Sequence, residues 1–196
     1  AIGDGGLLGL VLHPRFADNG LLYLYYTVRR GDHLINRVVR FRLVNDALHD
    51  PEVIIGAIPG GVDHNGGSIA FGPDGMLYIT TGDGGKQDAA QDRRSLAGKI
   101  LRIKDDGSIP SDNPFQNAVW AYGFQNPKGL AWDDSGRLWS VGHGRETFSA
   151  GFDELNLIGK GKNYGWPVAA GGEGQSGLTP PVIQSGADES WAPGGI

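Results

Sequence analysis

Three hairpin-like segments with a glycine at each turn, a recurrence of about 60 residues and a high glycine content predict an all-β chain. They fit a β-propeller of four-stranded antiparallel blades, about three of which are present. Gly9-Leu10-Val11-Leu12-His13-Pro14 pairs with Gly20-Leu21-Leu22-Tyr23-Leu24, and Gly67-Ser68-Ile69-Ala70-Phe71-Gly72-Pro73 with Gly75-Met76-Leu77-Tyr78-Ile79. Gly129-Leu130-Ala131-Trp132-Asp133 pairs in the same way with Gly136-Arg137-Leu138-Trp139-Ser140. Glycine supplies 34 of 196 residues against a usual share of about 7 per cent, yet Leu, Val and Ile stay plentiful, so tight turns between short strands fit better than disorder.

The first blade repeat covers about 5–60. After its hairpin, Arg37–Leu43 alternates in part between polar and apolar residues, and Val53-Ile54-Ile55 follows a break at Pro51. The second, about 61–124, turns at Pro73-Asp74-Gly75 and continues through Lys99–Ile103 and Ala118–Tyr122. Its residues 86–98, rich in Gln, Asp, Ala and Arg, predict a longer connection with room for one helical turn. The third, about 125–190, continues through Leu155–Ile158 and becomes loop-rich from Val168 to Ser190, and 191–196 begin a further blade. Propellers close with roughly four to eight blades, and an open arc leaves sheet faces unprotected. The chain, starting at Ala1 without an initiator methionine, therefore reads as part of a longer chain or ring.

Composition removes several function classes. No run of about 18 apolar residues spans a membrane. A formal charge of −5 with scattered Lys and Arg offers no basic face for nucleic acid. The absence of cysteine excludes disulfides and thiolate metal sites.

Candidate chemistry follows from hairpin geometry. His64 and Asp83 lie at nearly equal arm lengths from the Asp74 turn, so folding brings both to the open end, a histidine beside a carboxylate. Asn126 and His143 bear the same relation to the turn at Ser135, which places all four on one rim if the hairpins are innermost. Polar groups converging at a channel mouth are the usual form of a small-molecule site. His13 reads as a turn residue, His33 and His49 as solvated, and Asp74, Asp106 and Asp134 as turn formers. Trp120, Trp132, Trp139 and Trp166 read as blade packing.

Five blocks in order carry a resemblance: Gly5–Leu10 with His13-Pro14, Asp63–Gly67 with Gly82-Asp83, Gly98–Arg102, Asn126–Leu130, and Asp153–Ile158 with Asn163-Tyr164-Gly165-Trp166-Pro167. Together they resemble the soluble glucose/sorbosone dehydrogenase family, six-bladed quinoproteins that use pyrroloquinoline quinone (PQQ) and calcium. The resemblance implies oxidation of an aldose or related aldehyde at C1, with His64 as general base and Asp83 as its holder. It further implies a cofactor contact from Asn126, beside which Gln125 and His143 are the other cofactor-binding candidates, backbone oxygens of Gly144 and Arg145 on the calcium that polarises the quinone, and a second calcium region at Asp153, Glu154 and Tyr164. An external electron acceptor and a periplasmic or secreted location follow from it as well. Gln125 and Ser68 stand where the family carries arginines, so two cationic groups are exchanged for neutral ones. Two alternatives stay open on the residues alone: a calcium-dependent, lactonase-like propeller hydrolase and a non-catalytic propeller binding protein.

Overall fold

A computed structural model describes residues 2–144, 151–169 and 175–196. Among the described residues twelve strands form three four-stranded antiparallel sheets, the blades of a partial β-propeller. The first holds β1 (Leu7–Leu12), β2 (Leu21–Arg30), β3 (His33–Val44) and β4 (Ala47–Pro59) in that order. The second holds β5 (Ile69–Phe71), β6 (Leu77–Thr81), β7 (Lys99–Ile103) and β8 (Val119–Tyr122). The third holds β9 (Asn126–Trp132), β10 (Leu138–His143), β11 (Glu154–Ile158) and β12 (Ile183–Gln184). A short helix, α1 (Phe16–Asn19), sits between β1 and β2, and the 86–98 connection contains one 3₁₀ turn, Gln87–Ala90.

The middle sheet is covered on both faces, which explains why all five residues of β6 and all five of β7 are buried. Strand alternation sends Leu77 and Ile79 toward the first sheet, where they pack with Tyr23, Tyr25, Val38 and Ile58. Tyr78, between them in sequence, faces the third sheet with Ile100, Leu130 and Leu138. Trp132 and Trp120 meet the Tyr78 ring edge-on, which gives both tryptophans a packing role. Each fully buried Leu or Ile contributes roughly 1.5–3 kcal/mol. Across the inner ends the backbones touch: a Cβ on Gly9 of β1 would lie 2.2 Å from the Gly67 carbonyl oxygen, so only glycine permits that approach.

Two element boundaries differ from the sequence expectation. β4 runs through Pro51 without a break, and β3 is correspondingly longer. β4 is an edge strand, so the missing proline N–H needs no partner, and the ladder absorbs the irregularity as a register shift between Arg40 and Arg42 with Asp50 at φ 52°. The loop-rich stretch after Val168 contains β12, which pairs with Glu154 and Leu155 and completes the third sheet.

Candidate active site

His64 enters the site on the segment that leads into β5. Its backbone is left-handed, at φ 58°, and is held there by the Gly84 N–H, which donates to the His64 carbonyl at 3.0 Å. The adjacent Asn65 is fully buried and anchors the segment to the first sheet. Its Oδ1 accepts from Asn36 Nδ2 at 3.0 Å and from the Gly61 N–H at 3.1 Å, and its carbonyl accepts from the Tyr25 hydroxyl at 2.8 Å. Its Nδ2 donates to Asp4 Oδ1 and, at 3.0 Å, to the Gly61 carbonyl, so the amide is saturated.

Asp83 follows β6 and is fully buried. Its Oδ1 accepts from His64 Nδ1 at 3.0 Å and from the Gly85 N–H at 2.8 Å, and its Oδ2 accepts from the Trp166 indole N–H at 2.8 Å. A carboxylate only accepts, so Nδ1 carries the imidazole proton and Nε2 is the basic nitrogen of neutral His64. The Gln125 side-chain amide lies 3.5 Å from that Nε2, while its Oε1 is buried without a hydrogen-bond partner. The Gln125 carbonyl accepts from the Asp83 N–H at 2.7 Å, which ties the third sheet to the second at this point.

Asn126 and His143 face each other as a register pair at the end of the β9–β10 hairpin. Asn126 Oδ1 accepts from the Gly66 N–H at 3.0 Å. Both residues join His64, Asp4, Asp63 and Lys128 in lining a cleft of about 440 Å³, within the range of small-molecule sites. Lys128 Nζ donates to the Gly66 carbonyl at 3.2 Å and lies 3.6 Å from Asp4 Oδ2.

A second cavity shares His143 with this cleft and is lined in part by Gln125, Ser140, Gly144, Glu154, Asn156 and Tyr164. Ser140 Oγ and Asn156 Oδ1 are buried there without hydrogen-bond partners, and Glu154 Oε2 accepts from Asn156 Nδ2 at 3.0 Å. Asp153 lies elsewhere: its buried Oδ2 accepts from the Ser190 hydroxyl at 2.9 Å and from the Trp191 and Ala192 N–H groups at 2.7 and 2.9 Å. The Tyr164 hydroxyl donates to the Leu157 carbonyl at 2.6 Å and accepts from the Gly159 N–H at 2.8 Å. Burial pushes its pKa up to about 12, so it stays protonated. Arg145 lies outside the described residues.

The sequence matches the family model described as Glucose / Sorbosone dehydrogenase over residues 1–193. The chain belongs to the glucose/sorbosone dehydrogenase family. It is 37% identical over 193 residues to the aldose sugar dehydrogenase YliI of Escherichia coli, covering 92% of this chain and 51% of that protein. It is 33% identical over 221 residues to quinoprotein glucose dehydrogenase B of Acinetobacter calcoaceticus, covering 97% of this chain and 45% of that protein. Among solved structures it is similar to the PQQ-bound aldose sugar dehydrogenase of Streptomyces coelicolor, with a TM-score of 0.86 and 45% identity over 94% of this chain and 55% of that one. The chain thus spans about half the length of the relatives it matches.

In this glucose/sorbosone dehydrogenase family chain the sequence pattern brings His64, Asp83, Gln125, Asn126 and His143 together. It gave no role to Asp4, Lys128 and Asn65: Asn65 and Lys128 stand inside the blocks Asp63–Gly67 and Asn126–Leu130, but their contacts, like that of Asp4 from the loop before β1, are made with distant segments. Trp166, read as packing, also touches the site through its indole nitrogen. Among the described residues no helix is long and apolar enough to cross a membrane.

Proposed function

We propose that the intact protein oxidises an aldose or related aldehyde at C1, with His64 as general base. The observation that carries this reading is the buried Asp83 carboxylate on His64 Nδ1, which makes Nε2 the basic nitrogen of a residue that lines the cleft. Removing the C1 hydroxyl proton raises the electron density that expels hydride from C1, and imidazole is a side chain suited to accepting a proton in general base catalysis. Asp83 fixes the tautomer and stabilises the imidazolium that forms. PQQ, when bound, supplies the hydride acceptor, and calcium supplies Lewis-acid polarisation.

The residues present fit both groups. Gln125, Asn126 and His143 offer amide and imidazole contacts beside His64, and Lys128 places a cation in the same cleft, suited to an anionic quinone. For calcium, Glu154 and the unpartnered oxygens of Ser140, Asn156 and Gln125 border one cavity beside Gly144, an all-oxygen set appropriate to a hard ion. Of the expected calcium residues Gly144, Arg145, Asp153, Glu154 and Tyr164, the proposal rests on Glu154 and Gly144 at this cavity, while the Asp153 carboxylate is taken by Ser190, Trp191 and Ala192 and is given a structural role. An external electron acceptor and a periplasmic or secreted location complete the reading.

The test is reconstitution of the intact protein with PQQ and calcium, followed by dye-linked oxidation of a panel of aldoses and aldehydes. Dye reduction that requires both additions and a sugar is the expected result. Quinone binding without oxidation of any member of the panel overturns the proposal.

A further inference from the structure

The Asp83 carboxylate needs one oxygen to hold His64, yet both are engaged. The second, Oδ2, takes the Trp166 indole N–H at 2.8 Å from 83 residues further along the chain. A carboxylate with donors on both oxygens is fixed in plane and direction, whereas one held on a single oxygen is free to rotate about its Cβ–Cγ bond.

Trp166 is itself held more firmly than packing requires. Its backbone N–H donates to the Gly123 carbonyl at 3.0 Å, and its backbone carbonyl accepts from Gln91 Nε2 at 2.5 Å. Gln91 and Asn163 exchange amide hydrogen bonds in both directions, at 3.1 and 2.8 Å, and Asn163 Oδ1 also accepts from the Gly165 N–H at 3.0 Å. A chain of contacts therefore runs from the 86–98 connection through Asn163 and Trp166 to Asp83 and ends on His64. Trp166 is 8% exposed and Asp83 fully buried, so water does not replace the indole donor.

We infer that Trp166 is a positioning residue for the His64–Asp83 pair, with the Gln91–Asn163 amide pair as the clamp that keeps its indole aimed. The role in turnover rests on the function proposed above; the effect on the His64 ring does not.

Trp166→Phe in the intact protein keeps an aromatic ring and removes the N–H. Two readouts decide. In ¹⁵N-histidine NMR the wild-type His64 ring shows the Nδ1–H tautomer, and the variant shows a mixture of tautomers with faster exchange of that proton. In steady-state kinetics kcat falls about 10-fold while KM stays within about 2-fold, as expected for lost orientation rather than lost binding. An unchanged His64 ring signal in the folded variant overturns the inference, whatever happens to kcat. Should circular dichroism show that Trp166→Phe does not fold, Gln91→Met takes its place: the same change in the ring signal is expected, and an unchanged signal overturns the inference. A wild-type protein without dehydrogenase activity refutes the proposed function and leaves the NMR comparison to decide this one.

Discussion

The carbonyl oxygen of His64 occupies the space that a side chain on Gly82 needs: a Cβ there would fall 1.9 Å from it. Both partners are backbone and neither yields without moving the His64 turn. Gly82→Ala is expected to destabilise the protein by about 1–3 kcal/mol and to reduce turnover more than its stability loss explains. Urea unfolding and dye-linked assay of the same preparation check both parts.

Glu154 and Asp153 are neighbours in sequence with different surroundings. Glu154 borders a cavity where the side-chain oxygens of Ser140, Asn156 and Gln125 lack hydrogen-bond partners, while Asp153 Oδ2 gathers three donors from residues 190–192. Glu154→Gln is expected to weaken calcium binding by at least about 10-fold. Asp153→Ala is expected to leave calcium affinity within about 2-fold and to cost roughly 2–3 kcal/mol, the scale of hydrogen bonds to a charged group. Calcium titration calorimetry and thermal melts separate the two.

Lys99 is fully buried at the start of β7, and its ammonium donates to the carbonyls of Ala89, Ala90 and Ala97 at 2.8, 2.9 and 2.5 Å. Burial pushes its pKa down to about 7, with Asp92 acting in the opposite direction. Lys99→Met fills similar volume but takes the donor from the Ala89 and Ala97 carbonyls, while Ala90 keeps the Gly123 N–H, and a loss of about 2–3 kcal/mol is expected in urea unfolding. Proteolysis within 86–98 of the folded variant should quicken, because those carbonyls hold that connection.

Asp133 caps the β9–β10 turn. The Trp139 indole donates to it at 2.9 Å, and the Arg137 and Ser135 N–H groups each donate at 3.0 Å. These donors, Trp139 first, lower its pKa from 3.8 to about 2. The folded chain thus binds this proton more weakly than the unfolded chain, so the stabilisation is present above about 4 and is lost as pH falls through about 2. The gap in urea midpoint between wild type and Asp133→Asn should shrink across that window.

Much of this arrangement was legible in the sequence because hairpins convert spacing into proximity. His64 and Asp83, and Asn126 and His143, meet since each pair flanks a short turn at nearly equal distance. What escaped reading arrives from outside those hairpins. Trp166 reaches Asp83 from the segment after β11, and Asp4 reaches Asn65 from the loop before β1; neither contact has a local pattern. β4 hid behind Pro51 because an edge strand tolerates what a central strand does not. The cavity beside Glu154 was invisible because Ser140 and Asn156 resemble ordinary polar residues of alternating strands until burial strips Ser140 Oγ and Asn156 Oδ1 of partners.

The central claim is that His64 is the base. The measurement that tests it most directly is single-turnover reduction of PQQ by an aldose in the intact protein, wild type against His64→Ala, with quinone affinity measured in parallel. The account predicts a rate lower by about 10²–10⁴-fold with quinone affinity within about 2-fold of wild type. A His64→Ala protein that binds the quinone and reduces it within about 2-fold of the wild-type rate contradicts the account.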